Sequence, residues 1–343
     1  MPMHPLAFYA VFGVNQIAMR KLKLSLLTTA LMMFSLVALG QEKIEKSFTG
    51  IKSIRLTTAS GNGTIVKGSS NEVKVTVEYT YDEDDYMPEF DQSGDRLYIK
   101  EDFRRSRYTR GYSEWTLEIP DGLELDFKTG SGNIEVEGLT IEIQASSGSG
   151  NIDIAKIVGD TRANTGSGNI ELDRIEGIVD ANTGSGSIRF RDVEGDADFN
   201  TGSGNIRGAN IAGALDLNTG SGNIEVQDAT IKGRSSMNTG SGNAELILAA
   251  ALDHDISINT GSGDAELDFN GQKIEGKFIM KANDKDDIRA PFSFDEEYGD
   301  DDDDDGYRRR RGRRGSYTKE AQVGNKDIVI KISTGSGRAE VKK

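Results

Sequence analysis

The tetrapeptide Thr-Gly-Ser-Gly returns at near-constant intervals along this chain. Counting Ser-Gly-Ser-Gly as one copy, it begins at residues 129, 147, 165, 183, 201, 219, 239, 260 and 334. The first five intervals are 18 residues each, followed by 20, 21 and 74. A short fixed period marks one structural unit stacked on copies of itself, because each unit can bury its apolar face only against its neighbours. No enzyme active site requires its own loop repeated along the chain, so the motif points to architecture first.

Within a unit, numbered from the Thr, the sixth position is Ile134, Ile152, Ile170, Ile188, Ile206 and Ile224, then Ala244 and Ala265. The eighth is mostly apolar (Val136, Ile154, Leu172, Phe190, Val226, Leu246, Leu267), with Gly208 the exception. The seventh, between them, is charged throughout. Apolar–charged–apolar alternation predicts a strand with one buried face. The eleventh position is apolar again (Leu139, Ile157, Ile175, Val193, Ile211), and Gly159, Gly177, Gly195 and Gly213 at the thirteenth predict a turn. A second short strand, as in GALDLN, leads back to the next corner. The expected fold is therefore all-β: a single-chain parallel β-solenoid, or β-helix, of about 18-residue coils with two or three strands each and almost no helix. A hairpin-based antiparallel arrangement is the alternative, since period alone does not exclude it. At the corner, the two glycines are expected to supply positive φ, and the Thr and Ser hydroxyls to satisfy backbone groups. Columns of Asn before the corner (Asn164, Asn182, Asn200) and after it (Asn151, Asn169, Asn205) are placed to form amide ladders.

The period divides the chain. Residues 1–40 read as an upstream extension followed by a signal peptide starting at Met19, with Arg20, Lys21 and Lys23 ahead of an uncharged stretch from Leu24 to Leu39. Cleavage is expected near Gly40/Gln41, which predicts an extracytoplasmic protein: periplasmic, cell-surface or secreted, and not integral to the membrane. Residues 41–128, with longer and more aromatic strands and the sole tryptophan, Trp115, are expected to form an N-terminal β cap and the first coils. Residues 129–270 hold the regular repeats. Residues 271–343 hold terminal coils and a charged, disordered insertion at 294–316, where Asp300–Asp305 precede an arginine block.

Composition narrows the chemistry. The net charge is −15, and removal of residues 1–40 would make it −18, which disfavours nucleic acid as a partner. The absence of cysteine excludes disulfides, thiolate zinc sites and cysteine nucleophiles together. Only His4 and His254 exist, too few for a histidine triad or histidine-rich metal site. Calcium-binding G-G-x-G-x-D repeats need an Asp where these units carry Ile, so that mode fails as well. No catalytic, cofactor or metal residue is assigned. The candidate ligand-facing column is Glu171, Arg189, Arg207 and Glu225 at the seventh position. The candidate partner-binding loop is marked by Asp300, Asp305, Arg308 and Arg311.

The run WTLEIPDGLELDFKTGSGNIEVEGL from Trp115, with Pro120-Asp121-Gly122, the first TGSG and the recurring NTGSGNI, resembles a bacterial family of exported β-strand-repeat proteins. Its members are labelled adhesins and carry a domain of unknown function. The closing IVIKISTGSGRAEV is similar to that family's terminal repeat, so the resemblance covers roughly residues 45–343 apart from the insertion. It implies a surface or extracytoplasmic role and brings no catalytic residues. The expected function is that of a non-enzymatic adhesin or envelope-associated scaffold, with a polysaccharide or an envelope protein as partner. The alternatives are a polysaccharide-acting β-helix enzyme and a regulatory envelope protein that binds through the charged loop.

Overall fold

The computed structural model describes residues 42–104, 111–299 and 316–343. The signal-peptide reading, and the candidate loop residues Asp300, Asp305, Arg308 and Arg311, lie outside these. Among the described residues no helix is long and apolar enough to cross a membrane, and the sole helical element is one 3-10 turn, Lys285–Asp287.

Each coil places one strand in each of two large sheets. In the coil that follows Ser147, Ile152–Val158 lies in the first sheet and Thr161–Thr165 in the second. One coil later, Ile170–Glu176 and Val179–Thr183 occupy the equivalent places. Pairing is parallel and in register: Ile152 faces Ile170, which faces Ile188, and Thr165 faces Thr183. The sixth-position isoleucines from Ile134 to Ile224 are fully buried, as are Ala163, Ala181, Phe199 and Leu217 from the opposite sheet. The core is therefore a filled slot between the sheets rather than a channel.

Stacking is parallel throughout the regular coils; antiparallel pairing is confined to the ends. At the N-terminal end, Ser53–Thr58 and Asn62–Lys67 form a first coil that pairs directly with Glu124–Thr129 and Ile134–Thr140. The chain between them leaves the stack and returns over its open end. Arg96–Phe103 and Ser113–Ile119 add in parallel, and the antiparallel strands Tyr86–Ser93, Glu72–Tyr79 and Glu42–Thr49 follow outward. The outermost strands carry Pro88 on one sheet and Lys43, Glu45 and Lys46 on the other, features that discourage another chain from adding to the edge.

The far end repeats this device. The final TGSG stacks on its predecessor despite the interval of 74 residues: Val329–Thr334 pairs in parallel with Ile256–Thr260, and Ala339–Lys342 with Ala265–Asp268. The intervening chain adds outer strands, including Gly276–Ala282 and Tyr317–Val323. Residues 294–299, expected to belong to the disordered insertion, are ordered. Glu296–Tyr298 pairs antiparallel with Tyr317–Val323, and Phe294 packs edge-on to Phe292.

One feature of the coil escapes simple alternation. Lys156, Arg174, Asp192, Asn210 and Asp228, all at the tenth position, have φ between 53° and 57°. Each is skipped in the ladder, so that Ala155 pairs with Asp173 and Ile157 with Ile175. This single left-handed residue resets the strand's phase, which is why buried positions fall at six, eight and eleven rather than at every second residue.

Candidate functional site

The corners explain the repeated motif. The Thr is buried, and its hydroxyl makes two bonds: Thr201 Oγ1 accepts from the Gly204 N–H at 3.1 Å and donates to the carbonyl of Gly186, one coil back, at 2.8 Å. Ser147 makes the equivalent pair at 2.8 and 2.9 Å, so the hydroxyl is the required group and the methyl is not. The glycines do something other than expected. None in the regular TGSG corners has positive φ. They are needed because successive coils touch through their backbones: a Cβ on Gly204 would lie 1.8 Å from the Gly186 carbonyl oxygen, and one on Gly202 would lie 2.4 Å from that of Gly184. Positive φ belongs instead to the thirteenth-position glycines Gly159, Gly177 and Gly195.

The two Asn columns form ladders of different kinds. After the corner, side-chain oxygens accept backbone N–H groups of the next coil: Asn169 N donates to Asn151 Oδ1 and Asn223 N to Asn205 Oδ1, at 2.9 and 2.8 Å. Before the corner, amide bonds to amide. Asn182 Nδ2 donates to Asn164, Asn200 to Asn182 and Asn218 to Asn200, at 3.0 to 3.1 Å. This second column, with the adjoining Thr and Gly, lines a groove of about 920 Å³ that runs along the stack from Ser146 to Gly240. Nothing in the sequence reading marked it as a cavity, although the Asn period that builds it was visible.

On the other sheet, Glu171, Arg189, Arg207 and Glu225 occupy successive places in one register row. They line a shallow cavity of about 270 Å³ together with Arg191 and Gln227. Arg207 grips Glu225 with two bonds, Nε to Oε2 at 3.0 Å and Nη2 to Oε1 at 3.3 Å. Among the described residues no carboxylate forms an ion pair with Arg189. Below the row, Gly208 stands where other coils have a large apolar side chain, and the ring of Phe190 fills the vacancy: a Cβ on Gly208 would lie 2.0 Å from it. Phe190 also packs against Phe199, with ring centroids 5.0 Å apart. Gly208→Ala is expected to cost about 2 kcal/mol by overpacking. A Phe190→Leu change in the same chain should recover part of that loss, measurable as a favourable coupling in a double-mutant cycle.

Toward the N-terminal end the same row becomes acidic: Glu135, Asp153 and Glu171 stand on adjacent strands. The Asp153 carboxyl is held above the ordinary aspartate value, first by desolvation and then by the charges of Glu171 and Glu135. Glu245, in the acidic stretch of the row beyond Glu225, is also raised, by desolvation first and Glu266 next. A raised folded-state value means that Asp153 favours the fold most when protonated, and that this contribution is lost as pH rises through its folded value. Asp153→Asn is therefore expected to stabilise the protein by a few tenths of a kcal/mol at pH 7. In urea titrations the advantage should vanish below the ordinary carboxyl value of 3.8.

The family model described as Toastrack DUF4097 matches residues 51–293, well over half of the chain. The chain belongs to the Toastrack DUF4097 family. This is a domain of unknown function, and its all-β solenoid agrees with the coils described above. Among solved structures, a putative cell adhesion protein from Clostridium sporogenes ATCC 15579 aligns over 88% of this chain and 98% of its own, at 10% identity and a TM-score of 0.25. A comparison with curated proteins finds no match. The Toastrack match ends at residue 293, although the stack itself continues through the coil at Thr334.

Proposed function

We propose that this Toastrack chain is a non-enzymatic adhesin or envelope-associated scaffold, exported from the cytoplasm, that binds polysaccharide through the row Glu171–Arg189–Arg207–Glu225. The observation that carries the reading is Arg189. It is an exposed guanidinium without an ion-pair partner among the described residues, set in a cavity between carboxylates that can accept sugar hydroxyls. Guanidinium donors beside carboxylate acceptors suit a ligand rich in hydroxyls that also carries acidic groups.

The same geometry argues against glycoside hydrolysis. Glu171 and Glu225 are separated by two arginine strands, about 14 Å at the usual strand spacing. Hydrolytic carboxylate pairs work at about 5–9.5 Å. Glu225 is also engaged by Arg207. Asp153, the nearer acid beside Glu171, is not among the cavity-lining residues.

The test is an array of acidic and neutral envelope polysaccharides probed with the purified protein and with the Arg189→Ala/Arg207→Ala double variant. The reading expects acidic polysaccharides to bind the parent and to lose at least tenfold in affinity on the variant. Equal binding by both proteins, or no binding to any acidic polysaccharide, would overturn it.

A further inference from the structure

We infer that the corner groove on the opposite sheet is a second binding site, specific for a neutral, hydroxyl-rich extended polysaccharide lying along the stack. In Asn182, Asn200, Asn218 and Asn238 of the groove, both amide hydrogens are engaged. Asn182 donates to Asn164 and Asp180, Asn200 to Asn182 and Asp198, and Asn218 to Asn200 and Asp216. The Thr hydroxyls donate one coil back, and the first glycine of each corner donates its N–H to a Thr or Ser carbonyl, as Gly202 does to Thr183 at 3.2 Å.

Carbonyl and carboxylate lone pairs remain. Each Asn Oδ1 accepts one bond along the ladder and can accept another, and each aspartate keeps a second oxygen. From Asn182 to Asn238 the groove offers side-chain acceptors and no unengaged amide donor, a lining that does not solvate an anion, and Asp180, Asp198 and Asp216 in register beside it repel one. Such a lining complements hydroxyl donors. The groove crosses five coil steps, about 24 Å at the strand spacing, so the complementary ligand is a polymer and not a single sugar. The row of Asn oxygens repeats once per coil, which favours a chain that presents hydroxyls at regular intervals. This site does not rest on Arg189 or Arg207, which belong to the other sheet.

The experiment is calorimetric titration of the full chain with cello-oligosaccharides from cellobiose to cellohexaose, and with polylysine as a donor-rich polycation. Affinity is expected to rise with oligosaccharide length. It should fall at least tenfold in Asn182→Leu/Asn200→Leu, which replaces two acceptor oxygens with methyl groups. It should stay within twofold in Arg189→Ala/Arg207→Ala. Since the leucine variant alters the ladder, an Asp180→Asn/Asp198→Asn/Asp216→Asn variant, which keeps an acceptor oxygen at each place and removes the charge, provides an independent check. The inference expects it to retain cellohexaose. Failure of every neutral oligosaccharide to bind would overturn the inference. So would loss of cellohexaose binding in the arginine variant, which would move the site to the other sheet. Tight, salt-sensitive polylysine binding that the aspartate variant abolishes, without cellohexaose binding, would assign the groove to cations instead.

Discussion

Replacing Gly204 with alanine is expected to cost about 3 kcal/mol, the upper range for overpacking of a well-packed interior. The reason lies in what the new methyl would meet. It would lie 1.8 Å from the Gly186 carbonyl oxygen and 2.4 Å from its carbon. Both are backbone atoms of a coil fixed by in-register strands on either side, so no side chain can turn away to make room. Three companions separate this cause from general damage at the corner. Ser203→Ala, one residue earlier and exposed, should change stability by less than about 0.5 kcal/mol. Thr201→Val should lose about 2 kcal/mol, because it leaves the Gly204 N–H and the Gly186 carbonyl without the hydroxyl that joins them. Thr201→Ser should be tolerated, as Ser147 is in its own coil. Urea unfolding followed by far-UV circular dichroism measures all four.

Glu101→Ala is expected to be comparably damaging, by about 3 kcal/mol, through loss of hydrogen bonds to a charged group. Within the stack, the first glycine of each corner donates its N–H to the coil before it. The first corner has no such coil, and Ala59 N donates instead to Glu101 Oε2 at 2.7 Å. The other oxygen of that carboxylate accepts from Tyr86 Oη at 3.0 Å, from Trp115 Nε1 at 3.3 Å and from the Ser113 hydroxyl. One side chain from the second sheet thus ties together the open corner, the aromatic cluster of the cap and the strand Ser113–Ile119 in the first sheet. Burial first, and the Glu101 charge second, raise the Tyr86 phenol above its ordinary value, so it remains a donor through the neutral range. Truncation would leave several donors unpaired at once. Trp115 is the only tryptophan, and its fluorescence therefore reports on the cap. The Glu101→Ala chain should show a fluorescence transition at lower urea than its circular dichroism transition, with the cap opening before the coils.

These two residues show what the sequence made legible and what it did not. Gly204 belongs to a period that repeats eight times, and repetition exposed the strands, the buried columns and the parallel stacking. The period could not show which property of glycine mattered. Positive φ and close backbone approach select the same residue, and here the second operates at the TGSG corner while the first operates at Gly177 and its equivalents. The left-handed tenth position left a trace in the spacing of three between the apolar eighth and eleventh positions. The residues found there (Gly, Lys, Arg, Asp and Asn) have no β-branched member. Glu101 left no trace. It occurs once, outside the period, and its partners come from sequence distances of 12 to 42 residues. The row Glu171–Arg189–Arg207–Glu225 could be written down from the repeat alone, because one register fixes every column. The pairing of Arg207 with Glu225 rather than of Arg189 with Glu171 depends on side-chain geometry that the repeat does not encode.

Both proposed binding surfaces are read from coils that stack in parallel and in register, and the fold carries that stacking through to the last repeat. The absence of cysteine allows a clean test. Asn259 and Ser333 are register partners across the 74-residue interval, and the Ser333 hydroxyl donates to Asn259 Oδ1 at 2.6 Å. Adjacent parallel strands lie within the Cα range that a disulfide spans. The measurement is oxidation of Asn259→Cys/Ser333→Cys, beside Asn238→Cys/Ser333→Cys, which places the second cysteine one coil farther away. The account predicts a rapid intramolecular disulfide in the first protein and none in the second. Crosslinking in the second at the rate of the first, or in neither, would contradict the parallel, in-register stacking of the last repeat on the coils before it.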